Sequence, residues 1–361
     1  MTKLQSSSSD GGDLRLGISL FIAVLIGAGF FYLATRAVPI KDVRAYLETA
    51  DWVRLGWASL LFVALYSLSH AARVVRWYFL VRPLGKVDST TVHRVCTVGF
   101  TAILLVPFRL GELVRPFFLA RNSTLPTAGI LSTVVVERVI DGLIVTGLLF
   151  VALWTYQGEA STEFARTVGT ISALIFVGAL FMCVLGTWRG DLANRLVMAT
   201  FGLVSKKVAT ALVTLLDQFI SGFGAIARRP ADLFPFLGLT AVYWFTNIFS
   251  MWVLLRVGFD LNVGLWDMVT VLAVLVVGIM VPAGPAMAGN FEYFMAQGMG
   301  LYVPLDDPVV SGQVGAFAAL IHLLQIAVIV IPGAWVMVRN RGLRLSRKAL
   351  QESKEIEVEA Q

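Results

Sequence analysis

Between Arg166 and Arg189 stand 22 residues without a charged side chain, and a second such run, of 20 residues, separates Arg15 from Arg36. A helix rises about 1.5 Å per residue, so either run reaches across the roughly 30 Å of a bilayer's hydrocarbon core. In lipid the backbone must satisfy its own hydrogen bonds, which leaves only helices and closed barrels. Uncharged runs of this length select helices. With 57% hydrophobic and 14% charged residues over 361 positions, the composition also excludes an ordinary soluble domain.

The net charge is +6. In a soluble protein that would point to nucleic acid, but here the basic residues gather between apolar runs, as the positive-inside rule expects of cytoplasmic loops. No nucleic-acid partner is expected. The two cysteines, Cys96 and Cys183, lie in apolar segments without CxxC spacing, and His70, His93 and His322 are scattered. Neither a disulfide framework nor a metal site is indicated. The GxxxxGK[ST], GxGxxG and HExxH patterns do not occur, so no cofactor is expected and nothing points to an enzyme.

Residues 1–13, rich in Ser and Gly, read as a disordered tail, and the span after it as a retained helix rather than a cleaved signal. Residues 38–52 mix apolar and charged positions at helical spacing, the pattern of a helix lying in the interface. A second span covers 55–72. The segment after it holds Arg73, Arg76, Arg82, Lys86 and Arg94 and reads as a cytoplasmic loop, which puts the N-terminus inside. Residues 95–108 are uncharged but too few to cross comfortably, and Pro107, Gly111 and Pro116 interrupt the helix at and beyond their end. The expectation is a hairpin that enters from the cytoplasm, turns near mid-membrane and returns. Residues 126–156 then cross outward, 167–188 cross back, 189–231 form a cytoplasmic amphipathic connector and 233–255 cross outward again. The apolar run 268–280 meets Pro282, Gly284, Pro285 and Gly289, which cannot continue a regular helix. This second hairpin enters from outside, and 309–338 lead to a basic then acidic cytoplasmic tail, 339–361.

Span, span, hairpin, span over 14–157 is thus succeeded by the same order with opposite orientation over 167–338. The fold class reads as all-α, a polytopic membrane protein of two inverted repeats, each with three spanning helices and one re-entrant hairpin. At the hairpin tips Val106, Pro107, Gly111 and Glu112 are echoed by Val281, Pro282, Gly289 and Glu292, at different spacing. Two ordinary helices merely kinked by glycine and proline would leave similar marks.

Residues 101–141 carry Arg109, Glu112, Arg115, Glu137, Arg138 and Asp141 amid apolar sequence. A charge at the bilayer centre costs about 2.5–3.5 kcal/mol on insertion scales, so these groups must pair or face a polar cavity. Glu137 and Asp141, four apart, repel each other unless a cation lies between, and Arg109 or Arg115 is the candidate. Two helix starts near mid-membrane would favour an anion, and guanidinium suits phosphate. The substrate-binding candidates are therefore Arg109, Glu112, Arg115, Glu137, Arg138, Asp141, Asn290 and Glu292, with hinges at Pro107, Gly111, Pro282, Gly284 and Gly289. The same charges could instead close a salt-bridge network that binds nothing. Glu292 has few cationic residues near it in sequence and is a candidate proton-coupling group. His322 and Gln325 read first as hydrogen-bonding groups between helices, with a cavity as the alternative, and Asn247 and Asn290 fit either role.

The run VPFRLGELVRPFFLA, then VVVERVIDGL, then VPAGPAMAGNFEYF resembles, in that order, the flippase-like membrane domain of lysylphosphatidylglycerol synthases and its stand-alone relatives. The resemblance covers residues 14–338 and implies lipid translocation or an allied membrane role. By motif it carries Pro107, Arg109, Gly111, Glu112 and Arg115 in the first hairpin, Glu137, Arg138 and Asp141 on the next helix, and Pro282, Gly289 and Glu292 in the second hairpin. Where relatives often show Pro-Gly-Gly-x-x-E, this chain has Ala288, Gly289, Asn290, Phe291 and Glu292. The sequence ends at Gln361, so the expectation is a stand-alone member without the aminoacyl-transferase domain. The expected function is movement of an anionic or phosphate-bearing lipid, a phospholipid or a polyisoprenoid-linked one, between the leaflets of a cell membrane. A bacterial inner membrane with both termini in the cytoplasm is the expected setting. The alternatives are a scaffold or regulatory partner of a lipid or envelope biosynthesis enzyme, and a membrane-embedded transferase, for which no paired-Asp metal motif or activated nucleophile is found.

Overall fold

Acidic caps start several of the helices. Asp51 accepts from the backbone N–H groups of Val53 (3.1 Å) and Arg54 (3.0 Å), and Asp307 does the same for the helix that begins at Pro308. Asp88 accepts from Thr91 N–H at 2.8 Å, and that bond holds its carboxyl below the usual range. The computed structural model describes residues 7–106, 111–155, 162–203, 205–227, 229–281, 284–343 and 345. Within them the chain forms α1 (Ser7–Ala37), α2 (Ile40–Thr49), α3 (Trp52–Val81), α4 (Ser89–Leu105), α5 (Val114–Arg121) and α6 (Thr127–Thr155). Next come α7 (Thr162–Phe201), α8 (Lys206–Ala227), α9 (Pro230–Leu254), α10 (Leu265–Gly278), α11 (Asn290–Met299) and α12 (Pro308–Arg339). The described residues are all helix and connection, with no strand.

Three stretches of helix are long and apolar enough to cross a membrane, Trp52–Leu84, Ala231–Phe259 and Pro308–Arg339. The bent pair Phe21–Ala37 and Ile40–Thr49, with 64° between its halves, passes the same test if taken together. The first two lie antiparallel at the centre. Arg82, just past α3, pairs with Asp232 at the start of α9 (3.3 Å), while Arg54 near the start of α3 reaches the Val257 carbonyl (2.5 Å) and Asp260 (3.5 Å) beyond the end of α9.

Around that pair, α4 with α5 and α10 with α11 form two antiparallel helical hairpins. Their close approach depends on glycine. A Cβ on Gly111 would run into the backbone of Ala102, and one on Gly99 into the Arg115 side chain, so α5 folds back tightly on α4. In the second hairpin Gly278 accommodates the Phe294 ring, and Gly298 lies against Val271. Helix α12 packs on α2 and α4, and α6 packs on α8 and α10.

Several boundaries differ from the sequence expectation. Helix α3 runs to Val81 rather than to residue 72, because Val74, Val75 and Trp77–Val81 supply enough apolar surface to carry it past Arg73 and Arg76. Those two arginines therefore stand on a helix and not in a loop. Helix α1 begins at Ser7, inside the stretch read as a disordered tail, since a formed helix extends at little cost per residue. The stretch 189–231, expected as an amphipathic connector, is a bent end of α7 plus α8, with the bend at Arg189 (φ −144°, ψ 68°). Pro107, Arg109 and Pro282, the loop expected around residue 157, and all but residues 339–343 and 345 of the C-terminal tail lie outside the described residues.

Candidate functional site

Arg76 and Arg73 stand three apart on α3, so their side chains leave the same side of the helix at slightly different angles. Arg76 turns toward α6 and is fully buried. Its guanidinium grips Asp141 with two bonds (2.7 and 2.6 Å), reaches Glu137 Oε1 (2.9 Å) and donates to the Thr240 hydroxyl (3.2 Å). The second Glu137 oxygen accepts from Arg115 at 2.7 Å. Arg115 is also fully buried, its guanidinium over the rings of Phe100 (4.8 Å) and Trp77 (5.2 Å). The cation between Glu137 and Asp141 is thus Arg76, a residue absent from the expected site. Arg109, the other candidate, lies outside the described residues. Arg115 does not line the cavity described below, and its Nε and Nη2 have no hydrogen-bond partner among the described residues.

Beside this network is a cavity of about 180 Å³. Its wall is drawn from both hairpins and the helices between them: Phe100, Ile103 and Glu112 on one side, Leu272, Leu275 and Phe291 on the other, with residues of α3, α6, α9 and α12 closing the ring. Most of the lining is apolar. The polar exceptions are Arg73, Arg138, Asp141, Glu112, Asn247, His322 and Gln325, together with the amphipathic Tyr66, Tyr243 and Trp244. Arg138 holds its carboxylates loosely, Glu137 at 3.7 Å, Glu112 at 3.8 Å and Asp141 at 4.0 Å. Arg73 has no carboxylate within ion-pair distance among the described residues. It lies instead over Phe100 (4.0 Å) and Tyr243 (5.5 Å), and its Nε has no hydrogen-bond partner among the described residues. Counting the described side chains, Arg73, Arg76, Arg115 and Arg138 face Glu112, Glu137 and Asp141, an excess of one positive charge.

The second hairpin contributes a different group. His322 on α12 lies 2.6 Å from Glu292 Oε1 through Nδ1 and 2.7 Å from the Ala286 carbonyl through Nε2, and it stacks on Phe291 at 4.3 Å. Glu292 also accepts from Gly289 N–H (2.8 Å). The expectation that Glu292 lacks a basic neighbour is therefore corrected, as sequence distance hid a partner 30 positions away. His322 and Gln325 line the cavity rather than only bridging helices. Asn290 is buried inside the hairpin, donating to the carbonyls of Val281 (3.2 Å) and Gly278 (3.4 Å), and does not line the cavity. Gly284 and Gly289 pack against α1: a Cβ on Gly289 (φ +80°) would meet the backbone of Phe31 and Gly27. Among the described residues no group of His, Cys, Asp and Glu could hold a metal ion.

A family model described as Lysylphosphatidylglycerol synthase TM region matches residues 20–333, which takes in both hairpins, the ion network and every residue of the cavity wall. The chain belongs to this family. With the long apolar helices, membership in the lysylphosphatidylglycerol synthase TM region makes it a membrane protein of a lipid-related family. A curated relative, named Glycosyltransferase AglD, from Haloferax volcanii, is 25% identical over 367 aligned positions that cover 94% of this chain and 57% of AglD. The chain therefore spans little more than half of that relative. No solved structure matches it.

Proposed function

We propose that this protein moves an anionic or phosphate-bearing lipid, a phospholipid or a polyisoprenoid-linked one, between leaflets. The head group occupies the cavity between the two hairpins and the tails stay in the bilayer. The observation that carries the reading is Arg73, a guanidinium on the wall of a largely apolar cavity with no carboxylate within ion-pair distance among the described residues. Arg73 is half-buried, and a phosphate entering the cavity would give its guanidinium a partner with two parallel hydrogen bonds. Arg138, held by its carboxylates only at 3.7–4.0 Å, can turn to the same anion.

The packing supports an inverted-repeat reading of the fold. If α1–α6 and α7–α12 are exchanged, the contact of α12 with α4 becomes that of α6 with α10, and the contact of α12 with α2 becomes that of α6 with α8. The central α3–α9 pair maps onto itself. Two such halves, each with three spans and a re-entrant hairpin, could open the cavity to opposite sides in turn. On this reading the chain is a non-enzymatic transporter of the cell membrane with both termini in the cytoplasm. The name of AglD favours one further possibility, that the chain serves beside an enzyme of lipid or envelope biosynthesis as scaffold or regulator.

Reconstitution tests the proposal. Liposomes holding fluorescent phosphatidylglycerol, polyprenyl phosphate or phosphatidylcholine should show protein-dependent leaflet exchange of the first two and little of the third. Arg73→Gln should slow that exchange at least about tenfold, the loss of about one charged hydrogen bond. No exchange of any lipid above protein-free liposomes would leave the scaffold reading in its place.

A further inference from the structure

Arg76, Arg115 and Arg138 each have a carboxylate within 4.0 Å, whereas Arg73 rests on two aromatic rings. Its guanidinium lies 4.0 Å from the centre of the Phe100 ring and 5.5 Å from that of Tyr243, and both residues line the cavity with it. Each ring is shared with an arginine of the ion network. Arg115 stands 4.8 Å over Phe100, and Arg76 stands 4.9 Å over Tyr243. Those two arginines are fully buried and fixed on Glu137 at 2.7 and 2.9 Å, so they pin the rings in turn. Phe100 is held further by His70, whose ring meets it at 67° and 5.6 Å, and it is only 2% exposed.

A ring and a carboxylate hold a guanidinium in different ways. A carboxylate cancels the charge and occupies two of the five N–H donors, whereas a ring face attracts the cation through its quadrupole and uses none of them. An arginine that must stay charged, fixed and ready to donate is better held by a ring. Phe100 is the nearer of the two rings and therefore carries most of the hold.

We infer that Phe100 is the positioning residue of the anion site: its ring stands in for a counter-ion, fixing Arg73 in the cavity wall while leaving its charge and its donors to a lipid phosphate. Phe100 acts through Arg73 and makes no polar contact of its own. The inference rests on the lipid-phosphate reading above and adds the group that holds Arg73 in place for the ligand.

The test uses the full chain in phosphatidylcholine nanodiscs, titrated with a polyprenyl phosphate, with bound lipid read by native mass spectrometry. Phenylalanines carrying one, two and three ring fluorines are placed in turn at position 100. Fluorine withdraws electron density from the ring face and weakens its pull on a cation, while the size of the side chain changes little. Affinity for the polyprenyl phosphate should fall stepwise, by about fivefold over the series. In an Arg73→Gln chain, titrated at higher lipid concentration, the same series should leave the weaker affinity level, because the ring then has no Arg73 to hold. The thermal midpoint, read in parallel, reports the contact of Phe100 with Arg115, which both chains keep, and should shift alike in both. A level or rising affinity with added fluorine in the chain that keeps Arg73 overturns the inference, and so does an equal fall in both chains, which would leave Phe100 a packing residue. If Arg73→Gln retains as much polyprenyl phosphate as the parent chain, or if neither retains any, the lipid-phosphate reading itself fails, so the two failures are told apart.

Discussion

His322 Nδ1 lies 2.6 Å from Glu292 Oε1. The Ala286 carbonyl, 2.7 Å from Nε2, can only accept, so Nε2 carries hydrogen, and the remaining proton lies between Nδ1 and the carboxyl. Losing it would set an imidazole lone pair against a carboxylate. The segment these bonds restrain is under tension, since Ala286 (φ 54°) and Met287 (φ 59°), neither of them glycine, adopt positive φ. Glu292→Gln can still donate to Nδ1 and accept from Gly289, so it should fold normally while removing the exchangeable proton. Glu292→Gln should slow lipid exchange and leave lipid retention unchanged, and equal exchange rates in the variant and the wild type would show that the pair only fastens the hairpin.

Removing the ring should weaken the fold. His322→Phe retains the stack on Phe291 but leaves the Ala286 carbonyl and the Glu292 carboxylate without their partner, a loss of about 1–3 kcal/mol. The measurement is the midpoint of thermal aggregation in detergent, which should fall for His322→Phe and hold for Glu292→Gln.

The buried ion network should behave as one unit. Arg76→Ala uncovers Glu137 and Asp141 together and should cost about 3–5 kcal/mol, the usual penalty for orphaning a buried charge. Arg115→Gln and Glu137→Gln share one contact at 2.7 Å, so the double variant should be less damaged than the sum of the two singles. Additive losses would mean that the two side chains do not meet in the folded protein.

These charges also mark where the sequence was legible. The spacing of Glu137 and Asp141 announced that a cation must lie between them, and so it does. Its identity was hidden because Arg76 sits in a cluster with Arg73, Arg82, Lys86 and Arg94, which read as loop charge under the positive-inside rule. The signal was present in the apolar run from Val74 to Val81, which no cytoplasmic loop requires. Both hairpins were visible through Gly111 and Gly289, since glycine at a close approach leaves a local mark. The contact of His322 with Glu292 leaves none, because it depends on how α12 packs against α11 and not on any spacing along the chain.

Glycine at the hairpin crossings can be tested directly. Gly111→Ala places a methyl group on the backbone of Ala102, which cannot turn aside as a flexible side chain can, and should cost about 1–3 kcal/mol or prevent folding. Gly147→Ala on α6 meets nothing within 4 Å and should be neutral or slightly stabilising, as alanine favours helix. Equal yields and thermal midpoints for the two variants would mean that α5 does not fold back on α4.

Contacts at the helix ends define two opposite faces of the protein. Arg82 pairs with Asp232, and a methyl on Gly85 would press on Leu125, so the end of α3 and the starts of α6 and α9 share one face of the protein. At the other face Arg54 meets Asp260, and Gly312 lies against the Asp42 backbone, which brings together the starts of α3 and α12 and the end of α9. The first face carries Arg82 and Lys86, and on the proposed topology the positive-inside rule makes it the cytoplasmic one. Single cysteines at Lys86, Arg121 and Lys206, in a chain with Cys96 and Cys183 replaced by alanine, should be shielded from an impermeant external thiol reagent, whereas those at Asp51, Asn262 and Asp306 should react. The position that decides is Arg121. It ends α5, and only a hairpin that returns to the side it came from keeps it with Lys86. Labelling of Arg121 together with Asp306 would mean that α4 and α5 cross the membrane as one interrupted span, and the two halves would no longer be inverted copies.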